Sequence, residues 1–243
     1  MASNGSPLWS SLVRGTLCGL AAGLLLGLFH LAFSEPLIER ALRFEEPSGG
    51  AELFTRGEQQ AGLVLASVLY GAALGGIFGF AFPLLARRLS ASSVWQASLR
   101  LAFAGFATLW LVPFFKYPAN PPAVGSSDTI GLRTAGYTGM IAISIAATTL
   151  AWWTVRRLSK SEPHAAQLVA GGQYLVVIAI AYWLLPNNPD EIPIPAGLLW
   201  DFRLASLAGQ ALLWLTLGAG FGLLTIRAAH RTSVRTQTAV NGG

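Results

Sequence analysis

Long stretches of this sequence contain no charged side chain, and the first of them already constrains the fold. From Gly15 to Phe33, 19 consecutive residues lack Asp, Glu, Lys and Arg, close to the ~20 that an α-helix needs to cross the hydrocarbon core of a bilayer. Backbone groups in lipid have no water to bond, so a spanning segment must satisfy them internally. Gly15, Gly19, Gly23 and Gly27 recur at one-turn intervals, which lines one helix face with small residues and admits a second backbone. The run exceeds the ~7 to 15 apolar residues of a signal-peptide core, so it reads as a retained helix even though Ala32-Phe33-Ser34 offers a small-x-small cleavage pattern.

Five more uncharged segments follow: Ala61 to Ala86, Leu101 to Phe115, Thr134 to Val155, Ala165 to Leu185 and Leu204 to Ile226. The third is short, and Arg100 before it can snorkel to the interface. Gly71, Gly75 and Gly79 in the second repeat the spacing of the first, which makes those two spans natural neighbours. With charged residues at 11% of 243, against roughly 25% in soluble domains, no water-soluble core is left over. The expected fold is an all-α integral membrane protein, a six-helix transmembrane bundle over residues 14–227 with tails 1–13 and 228–243. Five spans are the alternative.

Charge sorting gives the orientation. Arg14, the Arg87, Arg88 and Arg100 group, the Arg156, Arg157 and Lys160 group, and the Arg227, Arg231 and Arg235 group fall on one side, ten of the sixteen basic residues. The positive-inside rule places that side, with both termini, in the cytoplasm. Ten of the eleven acids fall opposite, Glu162 being the exception. The net charge of +5 is therefore topological and carries no implication of nucleic-acid binding. Cys18 is the single cysteine, which excludes an intrachain disulfide and a clustered cysteine site. Walker, HExxH and GxSxG motifs are absent, so no enzyme class is indicated.

The residues that could carry chemistry lie in the outer segments. His30, the sole histidine inside a span, precedes Glu35 and Glu39, and imidazole with carboxylate suits a divalent transition metal if Pro36 bends the chain so that the three converge. An interfacial histidine beside solvated glutamates is the alternative. Where the third span runs into the following loop, Pro113, Pro118, Pro121 and Pro122 stiffen a stretch containing Phe115, Lys116, Tyr117 and Asn120. The prolines favour a shaped, partly extended cap over helix beyond Pro118. Lys116 and Tyr117 are candidates for a gate, or for pairing with Asp128, Asp201 or a first-loop glutamate. Arg203, bracketing Phe202 with Asp201, and Arg133 would both be stabilised by a carboxylate. Gln210 would bond across helices. As a cation, Lys116 repels a bare metal ion and is assigned to pairing or gating.

These segments, PFFKYPANPPAVGSSDTIGLRT, LPNNPDEIPIPAGLLWDFRLASL and HLAFSEPLIE, resemble the CbtA family, proposed cobalt transporter subunits of bacteria. His30, Glu35, Pro36, Glu39, Phe115, Lys116, Tyr117, Pro118, Asn120, Pro121, Pro122, Asp201, Phe202 and Arg203 lie in the shared motifs. The resemblance implies a multi-pass protein of the bacterial inner membrane that takes up Co²⁺ for cobalamin biosynthesis, with no tightly bound cofactor. It also implies a small, histidine-rich, single-span partner of the CbtB type, which would supply the metal ligands this chain lacks. Nickel accepts the same donor atoms and is not distinguished from cobalt. The alternative reading is a non-transporting membrane scaffold or accessory subunit that binds a protein partner through its outer loops.

Overall fold

A computed structural model describes residues 7–45, 54–89, 91–159 and 162–241, the side chains of Arg87 and of 232–241 apart. Residues 1–6 of the expected N-terminal tail, Glu46 and Glu52 of the first loop, Lys160, and the side chain of Arg235 lie outside the described residues.

Among the described residues the regular structure is entirely helical, with six helices long and apolar enough to cross a membrane: α1 (Pro7–Leu42), α2 (Arg56–Leu85), α3 (Val94–Lys116), α4 (Ser127–Leu158), α5 (Pro163–Leu184) and α6 (Ala196–Arg231). The helix of α6 continues to Asn241, through most of the stretch expected as a C-terminal tail.

Three boundaries differ from expectation in ways that matter for the site. The third helix starts at Val94 and incorporates Arg100 rather than beginning after it. The sixth starts at Ala196, immediately after Pro195, so Asp201 and Arg203 stand on a helix and not in the preceding loop. In α1 the helix passes through Pro36 without breaking.

A π-helical turn at His30–Ser34, in which the Glu35 N–H bonds the His30 carbonyl, precedes this proline. The same device recurs in α3, where a π turn at Ala107–Leu111 precedes Pro113. Proline removes a donor and collides with the carbonyl four residues earlier. A wider turn just before it gives that carbonyl room, so both helices continue.

The chain packs as two units. The first comprises Met1–Pro36, Ser48–Gly105 and Ala205–Gly243. Within it, α1 and α2 meet along their glycines, as their spacing predicts. A methyl group built on Gly71 would fall 2.6 Å from the Gly23 Cα, and one on Gly15 2.7 Å from the Gly79 Cα, while Gly19 and Gly75 face each other in the same way. Such distances leave no room for any side chain. Ser11 Oγ donates to the Gly79 carbonyl at 2.7 Å and closes one end of this seam. Further along the unit, buried Phe221 of α6 packs on Phe78 and Phe82 of α2, with ring centroids 5.2 and 4.8 Å apart.

The second unit comprises Leu37–Pro47 and Phe106–Leu204. Ala41, Val124, Ile194, Leu198 and Leu199 form its buried cluster, with Leu37 and Ala123 against them. Hydrogen bonds between Thr108 and Thr148 (2.9 Å) and between Thr154 and Gln173 (2.7 Å) tie α4 to α3 and α5.

Candidate functional site

The proline-rich loops of the second unit build a groove of about 480 Å³. One wall is aromatic. Trp110 and Phe114, one turn apart on α3, stack with centroids 4.4 Å apart, and Tyr117 and Tyr137 continue the lining. The polar part of the lining is Asn120, Arg133, Asn188, Asp190 and Arg203.

The charged groups and Tyr117 are held from outside their own segments. The Asp190 carboxylate accepts from the Thr129 hydroxyl at 2.6 Å and from the Ser126 N–H at 3.3 Å, and its second oxygen lies 3.2 Å from Arg133 Nε. Its side chain is 2% exposed. These partners, the Thr129 hydroxyl first, hold its carboxyl below the ordinary range, against the opposing effect of burial. Arg133 reaches this position because Gly125, at φ +118°, has no Cβ. A methyl there would sit 2.8 Å from the guanidinium carbon. Arg133 Nη2 also donates to the Ser126 carbonyl at 3.0 Å, so one arginine fastens both ends of the Ser126–Asp190 junction.

Tyr117 is placed by the other loop. Its hydroxyl donates to the Pro186 carbonyl at 2.6 Å and lies 2.7 Å from where a Cβ on Gly136 would be, so glycine at 136 makes its place in α4. Burial raises the Tyr117 pKa, which keeps the hydroxyl a donor. Lys116 donates to the Tyr182 carbonyl at 2.9 Å and to Asn187 Oδ1 at 2.6 Å. Its partners are neutral oxygens at the end of α5, in place of Asp128, Asp201 or a first-loop glutamate. An ammonium at a helix end is satisfied by the carbonyls that the helix leaves open, which removes the need for a carboxylate.

Arg203 differs from expectation in a parallel way. It donates to Asn120 Oδ1 at 3.0 Å and, at the long distance of 3.4 Å, to the Ala119 carbonyl. Asp201, two residues earlier on the same helix, is exposed and lines a separate cleft with Arg40, Arg43 and Phe44. Residues i and i+2 of a helix do not face each other, so Asp201 and Arg203 diverge. Pro118 borders the groove, whereas Phe115 is exposed. Pro121 and Pro122 lead into Ala123, which adopts φ +69°; the turn they make turns Val124 into the core.

The metal-type residues of the first segment do not gather. In the first unit, His30 Nδ1 is 2.8 Å from Ser34 Oγ. The Glu35 carboxylate, 7% exposed, pairs with Arg56 at 2.5 Å and accepts from Gln60 Nε2 at 3.0 Å. Glu39 is exposed. Among the described residues there is no cluster of three or more His, Cys, Asp or Glu side chains able to hold a metal ion. The physical reason is that α1 continues through Pro36, so the bend that would have brought the three together does not form. Gln210 of α6 lies near the Tyr70 hydroxyl of α2, while its side-chain Oε1 is buried without a hydrogen-bond partner.

Among the charged residues of the candidate site, Asp190 is the one that the sequence reading did not single out. It was visible only as an acid in PNNPDEIP, a loop with the same proline-rich character as the stretch around Lys116.

The family model described as "Probable cobalt transporter subunit (CbtA)" matches residues 10–226. The chain belongs to the CbtA family. That match covers all but the edges of the six helices and includes every residue of the groove. No curated protein and no solved structure matches the chain.

Proposed function

We propose that this CbtA-family chain is the membrane subunit of a Co²⁺ uptake transporter of the bacterial inner membrane, serving cobalamin biosynthesis, with both termini in the cytoplasm. The observation that carries the reading is the family match over residues 10–226, in a chain whose six apolar helices are long enough to span. No phosphate-cradling motif is present in the sequence, so energy comes from a partner or from the membrane potential.

Of the three candidate ligands, His30 is the one poised to bind. A proton on Nδ1, donated to Ser34, leaves the Nε2 lone pair for a metal, the arrangement in which a second partner fixes the tautomer of a ligating histidine. Glu35 would first have to leave Arg56 and Gln60. Glu39, the third candidate, is exposed on the helix beyond Pro36. A small histidine-rich subunit of the CbtB type completes the ligand set, and Lys116, Tyr117 and Arg203 serve as positioning or gating groups around the outer loops. Accumulation of labelled Co²⁺ is the test, in cells carrying the chain with and without a histidine-rich partner. Uptake should require both, and His30→Ala should lower it; unchanged accumulation on deleting this chain would refute the reading.

The absence of a three-ligand cluster among the described residues gives an accessory role its footing. In that reading the chain positions a partner through the outer loops and never touches the ion. Metal uptake by the partner alone, restored in rate by this chain but insensitive to His30→Ala, would select it.

A further inference from the structure

We infer that the groove of the second unit is a binding site for a small organic carboxylate with an apolar body, taken up by Arg203. Of the two guanidinium groups that line the groove, Arg133 is matched by Asp190 at 3.2 Å. That carboxylate is fully engaged, accepting also from Thr129 and Ser126. Arg203 is held only by neutral oxygens, Asn120 Oδ1 at 3.0 Å and the Ala119 carbonyl at 3.4 Å. Among the described residues no carboxylate lies within ion-pair distance of it.

A half-buried arginine without a counter-charge on an apolar helix is costly. Neutral acceptors orient the guanidinium without cancelling its charge. Asn120 and Ala119 take one Nη2 bond and one long Nε bond, so further donors of the fork remain for a ligand. A guanidinium binds a carboxylate through two parallel bonds, which sets the head group. The stacked Trp110 and Phe114 pair on the same groove offers an apolar face for the rest of the molecule. The volume, about 480 Å³, is in the range of small-molecule sites.

The same charge distribution disfavours a bare divalent cation in the groove, since its lining carries two arginines against one spent carboxylate. The inference stands independently of the cobalt reading, because it concerns binding and not transport.

Calorimetry with the full-length protein in nanodiscs tests it, using 3-phenylpropionate and its neutral isostere 3-phenylpropionamide. The acid should bind saturably and the amide at least about tenfold more weakly, as expected when a charge-assisted pair is lost. Arg203→Gln should abolish the preference for the acid, and Arg203→Lys should restore part of it. Restoration by lysine reports charge and not folding, and retention of the size-exclusion profile identifies variants that have kept their fold. Asn120→Ala, which leaves the arginine in place, should weaken acid binding by a smaller factor. Equal binding of acid and amide to the wild type, no binding of either, or an undiminished preference for the acid in a folded Arg203→Gln protein would overturn the assignment.

Discussion

Asp190 and Arg133 come together across the loops flanking α4 and α5, with Oδ2 3.2 Å from Nε and the aspartate side chain 2% exposed. Sequence separation between them is large, so the pair fixes the loop after α5 to the first turns of α4. The folded-state pKa of Asp190 is lowered, chiefly by the Thr129 hydroxyl and then, against burial, by the Ser126 N–H and Arg133. A depressed carboxyl contributes stability that is fully present above its unfolded pKa of ~3.9. That contribution is lost as pH falls through the folded value. Thermal unfolding of the detergent-solubilised protein, followed from pH 7 down to pH 3, should therefore show a loss of stability that begins as the pH falls through the ordinary aspartate range. Asp190→Asn should be less stable than wild type at pH 7, and the gap between them should narrow at the acid end. A gap that is constant with pH would show that the ion pair does not contribute.

The seam between α1 and α2 is a stricter constraint. Backbone atoms of Gly23 and Gly79 lie where side chains on Gly71 and Gly15 would have to go, and neither helix can yield without losing the contact along its length. Gly71→Val or Gly15→Val should destabilise by at least the ~1 to 3 kcal/mol typical of overpacking, read as a lower melting temperature or as failure to accumulate in the membrane. Gly62, on the same helix as Gly71, has open space around it, with no atom within 4 Å of where a Cβ would stand. Gly62→Ala should be indistinguishable from wild type or slightly more stable. Equal effects at Gly71 and Gly62 would mean that the glycines are not a packing surface.

The helices and the α1 and α2 pairing were legible in the sequence because both rest on local pattern: uncharged length for the spans and four-residue glycine spacing for the seam. The polar contacts were not, because they depend on where distant loops meet. The spacing of His30, Glu35 and Glu39 suggested a metal site only on the assumption that Pro36 bends the chain, and a π turn, which has no composition signature, absorbs that proline instead. Lys116 and Arg203 were expected to find carboxylates, since opposite charges are the obvious partners. They find Asn187 and Asn120, two asparagines from proline-rich loops whose shapes no periodicity encodes. Arg133 did meet the carboxylate expected of it, but the identity of that acid emerged only once α4 and α5 placed Asp190 beside it.

Orientation across the bilayer follows from alternating crossings, and the single cysteine makes it measurable. Cys18 is buried, so the wild type should resist a membrane-impermeant maleimide and provide a clean background. Ser92 precedes α3 and Ser127 opens α4; both are exposed. A helix spanning Val94–Lys116 separates the two sites, which therefore belong on opposite sides of the membrane. With the basic ends inside, Ser127→Cys and Asn188→Cys should be labelled in spheroplasts, and Ser92→Cys and Ser159→Cys only after permeabilisation. The pairing of sites tests the number of crossings separately from their direction. Six spans require Ser92 to behave like Ser159, and Ser127 like Asn188, whichever way the protein inserts. Labelling in which the pairs hold but the sides are exchanged would overturn the orientation alone, whereas Ser92 and Ser159 reacting from opposite sides would overturn the six-span topology.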